Sequence, residues 1–516
     1  MTTRFIKAVT VLACAVFSTL ALAADPPARV GRVSLTQGQV SISGEVGDEA
    51  SAALVNWPVT SHNRITTGRG ARTEIRIGST SIRLDADSSL EVDELDDDNL
   101  RLRLDHGSAS IRVRNAEVVQ GFEIGTPGAR IRLQEPGSLR IDAERSIGTS
   151  VVNVFDGVAL VEDRGSQLIV RAGRRAEIRD DDVRTGQALR DGFDDWAQQR
   201  DVRDDRSTSA RYVTSEMTGY EDLDQNGVWR DDAEYGPLWM PTVVAQDWAP
   251  YRDGNWTWVA PWGWTWVDNA PWGYAPFHYG RWVQVNQRWA WAPGRNVSRP
   301  VWAPALVGWV GGNGWSLSFS QGGSRPAQGW YPLSPRDAFV PGYRLSTQHL
   351  QQINRHARDD RRDGRRDWRD DHRRDGLTVV PQEQFGRRGT IAVRNAPRAV
   401  VPPQALQNAQ SVAPSAPQGM RERDGRGDRF DRSDRGDRDA QRNRQPAPMA
   451  QPQGQAPFAG RDGRDNRDER GARQQRDGQP PPATYAAPAA VTAPEAVQQR
   501  HRQDFEERRQ RQQQQQ

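Results

Sequence analysis

Between residues 28 and 180 the chain alternates apolar and polar positions with a period of two. The clearest runs are Arg72-Thr73-Glu74-Ile75-Arg76-Ile77, Ser81-Ile82-Arg83-Leu84, Leu100-Arg101-Leu102-Arg103-Leu104, Ile111-Arg112-Val113-Arg114 and Ala129-Arg130-Ile131-Arg132-Leu133. This period puts successive side chains on opposite faces of a strand, so each run predicts one buried face and one solvated face, the latter mostly Arg. Gly78-Ser79, Asp105-His106-Gly107, Pro127-Gly128, Pro136-Gly137 and Asp156-Gly157 supply turns between the strands. The pattern predicts an all-β module over 28–180, a β-sandwich or a short β-solenoid.

The period changes after that. In 187–217, Phe193, Trp196 and Val202 share one face of a helix, which predicts a short charged helical linker. Residues 218–346 are set apart by tryptophan: 16 of the chain's 19 lie between Trp229 and Trp330. Trp256-x-Trp258, Trp264-x-Trp266 and Trp289-x-Trp291 place paired indoles on one face of a strand. Asp253-Gly254 and Trp262-Gly263 can turn between such strands. Pro261-Trp262-Gly263-Trp264 recurs as Pro271-Trp272-Gly273-Tyr274, the length of one short strand and a turn. The prediction is a small antiparallel meander in which cross-strand indole pairs take the place of an aliphatic core. From 350 to 516 the chain is Arg, Asp, Gln and Pro with few apolar residues. Such a composition does not offset a chain entropy of ~1–2 kcal/mol per residue, so a disordered tail is predicted. The whole is mainly β.

The N-terminus adds a compartment. Arg4 and Lys7 precede the apolar run Ala8–Leu22, and Ala21-Leu22-Ala23 is a small-x-small site. Residues 1–23 read as a secretory signal peptide cleaved between Ala23 and Ala24, which places the mature protein in the periplasm or outside the cell. The single cysteine, Cys14, lies inside this segment, so the mature chain would hold no disulfide and no thiolate. No later apolar stretch approaches the ~20 residues that a transmembrane helix needs. Lys plus Arg is 70 and Asp plus Glu is 67. The two signs are interleaved, so they build no basic field of the kind that nucleic acid requires.

Candidate chemistry is sparse. Trp256, Trp258, Trp264, Trp266, Tyr274, Tyr279, Arg281 and Trp282 are the candidate ligand-binding residues, if some rings face outward to stack on envelope glycan or protein. The competing reading is that the indoles form the core, with their N–H groups bonded to backbone. Asp222-x-Asp224-x-Asn226-Gly227 imitates the first half of a calcium loop, but position twelve is Ala233, which favours an Asx turn. His278 has no second ligand at metal spacing and reads as a structural histidine. Between Tyr235 and Gln382 there is no Glu, and the acids of the Trp block are Asp247, Asp253 and Asp268. Neither a nucleophile elbow, a His-Glu-x-x-His helix nor a P-loop occurs. The residues predict a non-catalytic protein without metal or cofactor.

Two stretches carry a resemblance. Gly31-Arg32-Val33, Gly38-Gln39-Val40, Asn63–Ala71, Ile124–Ala129, Val154–Val161 and Val170–Ala176 resemble a FecR-type periplasmic domain over most of 30–178. Trp248–Trp282 resembles a Trp-rich domain of unknown function found beside FecR-type domains in proteobacterial envelope proteins, extending from Glu221 to at least Leu333. The first resemblance implies a β fold in the envelope, in a family that includes signal transducers relaying receptor occupancy to an anti-sigma segment. The second implies no activity. The function that follows is an envelope interaction or scaffold protein, with a soluble FecR-like sensor as the alternative.

Overall fold

A computed structural model describes residues 25–44, 49–163, 165–179, 182–245, 247–294, 297–311, 318–319, 325–355, 372, 375–386, 391–394 and 413–417. All belong to one compact unit, 1–431. The signal cleavage site Ala23-Ala24 and most of the tail lie outside the described residues.

The N-terminal module is two β-sheets packed face to face. One runs, in spatial order, β4 (Pro58–Val59), β1 (Gly31–Gln37), β6 (Arg72–Ile77), β7 (Thr80–Leu84), the second half of β9 (Leu100–Val113), β12 (Gly137–Ala143), β13 (Thr149–Asp156), β16 (Arg174–Arg179) and β17 (Asp182–Gln187). The other runs β3 (Ser51–Ala52), β2 (Val40–Ser43), β5 (Arg64–Thr67), β8 (Ser88–Leu95), the first half of β9, β10 (Phe122–Gly125), β11 (Arg130–Leu133), β14 (Val158–Glu162) and β15 (Gln167–Arg171). Among the described residues only β9 and β10 pair in parallel. Val, Ile and Leu from both inner faces form one core.

Asp105-His106-Gly107 is not a turn. It is the point at which the unbroken strand β9 leaves one sheet for the other. Gly107 has φ +102°, and a Cβ there would lie 2.4 Å from the Ser88 Cβ, so only glycine lets the two strands cross so closely.

The outer face of the first sheet is also not solvated where the alternation predicted it. The helix Gly192–Asp205 lies over it, with Asp191 and Asp194 forming a capping box at its N-terminus. Phe193 is buried, but Val202 is 40% exposed. The helix docks mainly by charge: beneath it Glu74, Arg76 and Arg83 are each 2% exposed or less. Glu74 accepts from Arg76 Nε at 3.0 Å, Arg83 Nε at 2.7 Å and Arg200 Nε at 2.6 Å. Arg76 also pairs with Asp204, and Arg83 with Asp201 at 2.8 Å. Arg72 lies over the Phe193 and Trp196 rings at 5.5 and 5.3 Å.

The Trp-rich module holds three small antiparallel sheets rather than one meander. The first is β18 (Gly227–Asp232), β19 (Gly236–Pro241), β23 (Arg288–Ala292) and β22 (Arg281–Val285). The second is β21 (Gly263–Asp268), β20 (Gly254–Val259) and β28 (Ile391–Val393). In the third, β24 (Val307–Gly311), β25 (Ser318–Phe319) and β27 (Thr378–Pro381) all pair with β26 (Arg325–Pro332).

Two of these strands come from the predicted tail, so the expectation of disorder from residue 350 onward is corrected at 375–386, 391–394 and 413–417. Leu377-Thr378-Val379-Val380 and Ile391-Ala392-Val393 are short apolar islands in polar sequence. Averaged over the tail they vanish, yet each fits an open sheet edge whose backbone groups need partners.

Candidate functional site

The predicted hairpin of indoles is present and in register. Trp256 faces Trp266 and Trp258 faces Trp264 across β20 and β21, with ring centroids 5.2 and 5.7 Å apart in edge-on geometry. Its rings, however, point inward. Trp256, Trp264, Trp266, Tyr274, Tyr279, Arg281 and Trp282 are all buried, and only Trp258 of the eight candidates is half-exposed. The exposed stacking platform is therefore not what these residues build. The aromatic ones belong to or pack against a core that also takes in Trp239, Trp291, Trp302, Trp309, Trp330 and Phe385.

Several polar tips of that core are satisfied locally, whereas the Trp256 indole N–H has no hydrogen-bond partner among the described residues. Indole N–H groups donate to backbone oxygens: Trp239 to Leu223, Trp282 to Pro276, Trp291 to Tyr279 and Trp330 to Tyr251, at 2.8–3.1 Å. Trp266 donates to Asp268 Oδ2 at 2.9 Å, and Ala270 N donates to Asp268 Oδ1 at 2.9 Å. His278 is fully buried, stacks on Trp302 and bonds the Ala303 carbonyl through Nδ1 at 2.8 Å. Burial pushes its pKa down to about 3, so the ring is neutral.

Asp222 and Asp224 are turned to structural partners. Asp222 pairs with the buried Arg32. Asp224 accepts from Ser209 N at 2.9 Å and from Thr208 N at 2.7 Å.

Asp268, buried in the aromatic module, has a consequence for pH. Burial raises its pKa to about 8 against the pull of the Ala270 and Trp266 N–H groups, and Asp253 adds to the rise. The folded state thus keeps a proton that the unfolded chain releases near pH 4. By linkage, the stability from this group is complete below pH 4 and declines as pH rises to about 8, by up to about 1.4 kcal/mol per pH unit. Asp268→Asn is expected to remove that decline. Denaturant titrations from pH 5 to 8 should give a wild-type-minus-variant difference that slopes downward; a flat difference would show that the carboxyl is already ionised.

The two modules are fused by buried polar contacts. Arg32 Nη1 donates to Asn56 Oδ1 at 2.9 Å and Nη2 to Glu221 Oε1 at 3.0 Å. Asn56 Nδ2 reaches the Asp268 and Ala270 carbonyls at 3.0 and 2.7 Å. Tyr274 donates to the Gly31 carbonyl at 2.7 Å, and Val30 belongs to the aromatic core.

Beside this junction lies a cleft of two adjoining cavities, each of about 250 Å³, which share Tyr279, Arg299, Pro300, Val301 and Gln352. The first is lined by Arg281, Arg299 and Arg355 with Tyr212 and Ser298, and by no carboxylate among the described residues. Arg281 bonds only carbonyl oxygens, those of Gly280, Asp337, Ile353 and the Asn354 side chain. Burial lowers its pKa to about 10, which leaves it a cation. The second cavity is lined by Asp97, Asp98, Glu117 and Glu216 with Arg29 and Arg299. Arg299 spans the two, bonding Asp98 and Glu117 at 3.2 Å.

Residues 220–337 match a family of unknown function, DUF6600. The match covers the first sheet of the Trp-rich module and part of the other two, and stops short of β27 and β28. No curated protein matches the chain. Two crystal structures of a candidate anti-sigma factor from Parabacteroides distasonis are similar to it in part. One is 17% identical, covering 26% of this chain and 64% of that one, and the other 15% identical, covering 35% and 99%; both have a TM-score of 0.23. The chain thus spans just under two thirds of the length of the first.

Sequence reasoning reached three cleft residues, Tyr279, Arg281 and Arg299, for their place in the aromatic block. It missed Arg355, Asp97, Asp98, Glu117 and Glu216. These are spread over more than 250 positions and form no motif that a linear reading could find.

Proposed function

We propose that this is a non-catalytic interaction protein of the cell envelope, exported by its signal segment, that holds a ligand in the cleft between its two β modules. The observation behind this reading is the charge division of the cleft: arginines without carboxylate on one side of Tyr279, and four carboxylates on the other. Such a pair of chambers suits a small zwitterion, such as a short peptide with its carboxylate toward Arg355 and its ammonium toward Glu216. The non-catalytic part is supported by the acids of the Trp block. Asp268 is held by Trp266 and Ala270, and Asp253 accepts from Asn269 Nδ2 at 2.7 Å. Glycan stacking loses support because the indoles face inward. The sensor alternative is favoured by one observation: the second chamber is walled by both modules, so an occupant of it touches both.

Tri-alanine is a suitable probe by calorimetry. Saturable binding is expected, weakened about tenfold or more by Arg355→Glu and by Glu216→Gln, which corresponds to ~1.4 kcal/mol. Equal affinity in all three proteins, or no binding to any, would overturn the cleft reading.

A further inference from the structure

We propose that the rim of the Trp-rich module at Trp264 is a recognition site for extended Ala-Pro peptide, occupied in this chain by its own residues 413–417. This site is separate from the cleft and does not depend on it.

Residues 413–417 read Ala-Pro-Ser-Ala-Pro and have no regular secondary structure. Trp264 Nε1 donates to the Ser415 carbonyl at 3.2 Å. Pro417 is buried and Pro414 half-buried, while Ser415 between them is exposed. A polyproline II chain has three residues per turn, so prolines at i and i+3 fall on one face and the residue after the first faces away. Ala413 packs on the aromatic core, and a Cβ at Gly342 would come within 3.0 Å of its Cβ. An indole N–H given to a peptide carbonyl beside a buried and a half-buried proline suits the way aromatic-lined grooves take up Pro-x-x-Pro segments.

The platform under the peptide is rigid. Trp264 is edge-on to Trp258 at 5.7 Å and to Phe385 at 5.1 Å, both at nearly 90°. The docked segment, by contrast, joins no sheet. Among the described residues it is held by the Trp264–Ser415 hydrogen bond and by side-chain packing, unlike β27 and β28, so it can leave without dismantling a strand.

The sequence also repeats the docked dipeptide. Ala-Pro occurs at 249–250, 260–261, 270–271, 275–276, 292–293 and 303–304 in the Trp-rich module, and at 396–397, 413–414, 416–417, 447–448, 456–457, 487–488 and 493–494 beyond it. Only at 413–417 do two copies stand three residues apart, the spacing that puts both prolines on one face. The chain's own segment is therefore the tethered competitor of a partner polypeptide that carries the same Ala-Pro-x-Ala-Pro spacing. A short tether gives a competitor an effective concentration of order mM, enough to suppress a weak partner about tenfold.

The test uses the full mature chain and a fluorescent peptide with the sequence of residues 411–418, followed by anisotropy. Pro414→Gly with Pro417→Gly in the protein should release the tethered segment. The released variant is expected to bind the peptide at least about tenfold more tightly than wild type. Adding Trp264→Phe, which keeps a ring and removes the N–H donor, should abolish the gain. A peptide with both prolines replaced by Gly should bind the released variant at least about tenfold more weakly. Equal binding by wild type and released variant would overturn the proposal. So would equal binding of the Pro and Gly peptides, an outcome that remains decisive even if the Phe variant fails to fold.

Discussion

A chain ending at Gln348 is expected to lose the cooperative unfolding of its Trp-rich module, while one ending at Met420 keeps it. The shorter chain lacks Leu377, Val379, Val380, Phe385, Ile391 and Val393, all of them 7% exposed or less. Burial of each such side chain is worth ~1.5–3 kcal/mol, so the six together rival the ~5–15 kcal/mol by which a typical domain is stable. The loss also strips β20 and β26 of their pairing partners, β28 and β27. Phe385 concentrates the effect. Its ring lies 5.1–6.4 Å from those of Trp256, Trp264, Trp309 and Trp330. Phe385→Ala in the full chain should cost about 3–5 kcal/mol by urea denaturation followed through tryptophan emission. Coincident unfolding curves for the Gln348 chain and the full chain would show that the tail strands contribute nothing.

Glu74→Ala should be comparably severe, in the other module. Burial alone would raise the Glu74 pKa, but Arg76, Arg200 and Arg83 overrule it and hold the carboxyl well below its ordinary range. Removing it leaves three arginines sharing Asp201 and Asp204 beneath the 192–205 helix, the situation in which a buried ion pair loses one partner. The expected cost is about 3–5 kcal/mol, with the helix becoming open to proteolysis before the sheets unfold. Glu74→Gln should reveal the sign of the linkage. The folded pKa lies below the unfolded one, so the stabilisation is complete above about pH 5 and fades as pH falls toward the folded value. The wild-type advantage over Glu74→Gln should shrink on acidification, opposite to the Asp268 effect. An advantage independent of pH between 3 and 6 would mean that the carboxyl is not held ionised by its arginines.

Both predictions rest on features that a linear reading assigned to solvent. Glu74, Arg76 and Arg83 look like the wet side of alternating strands, and β27 and β28 sit in a stretch dominated by Arg and Asp. The same reading did place the β6–β7 and β20–β21 turns, the helix after 190 and the facing of Trp256 with Trp266. Each of those depends on residues within about a dozen positions of one another.

That difference marks what the sequence determined by itself. Strand period, turn residues and capping are local: they fix φ/ψ and the side on which each Cβ emerges, and so the chain dictated a mainly β protein with an indole hairpin in register. Whether a face is covered depends on what arrives from elsewhere. The 192–205 helix turns an Arg-bearing face into a buried ion network because its own acids and Arg200 answer those charges. Segments more than 100 residues beyond β20 close the Trp-rich sheets because an open edge accepts any strand that fits it. The indoles turned inward for the same reason: with three sheets and two tail strands around them, burying their rings gains more than exposing them. The carboxylate-lined chamber of the cleft exists only where the two modules meet. Tertiary structure alone decided these things, since buried area and Coulomb energy depend on distance in space and not on separation along the chain.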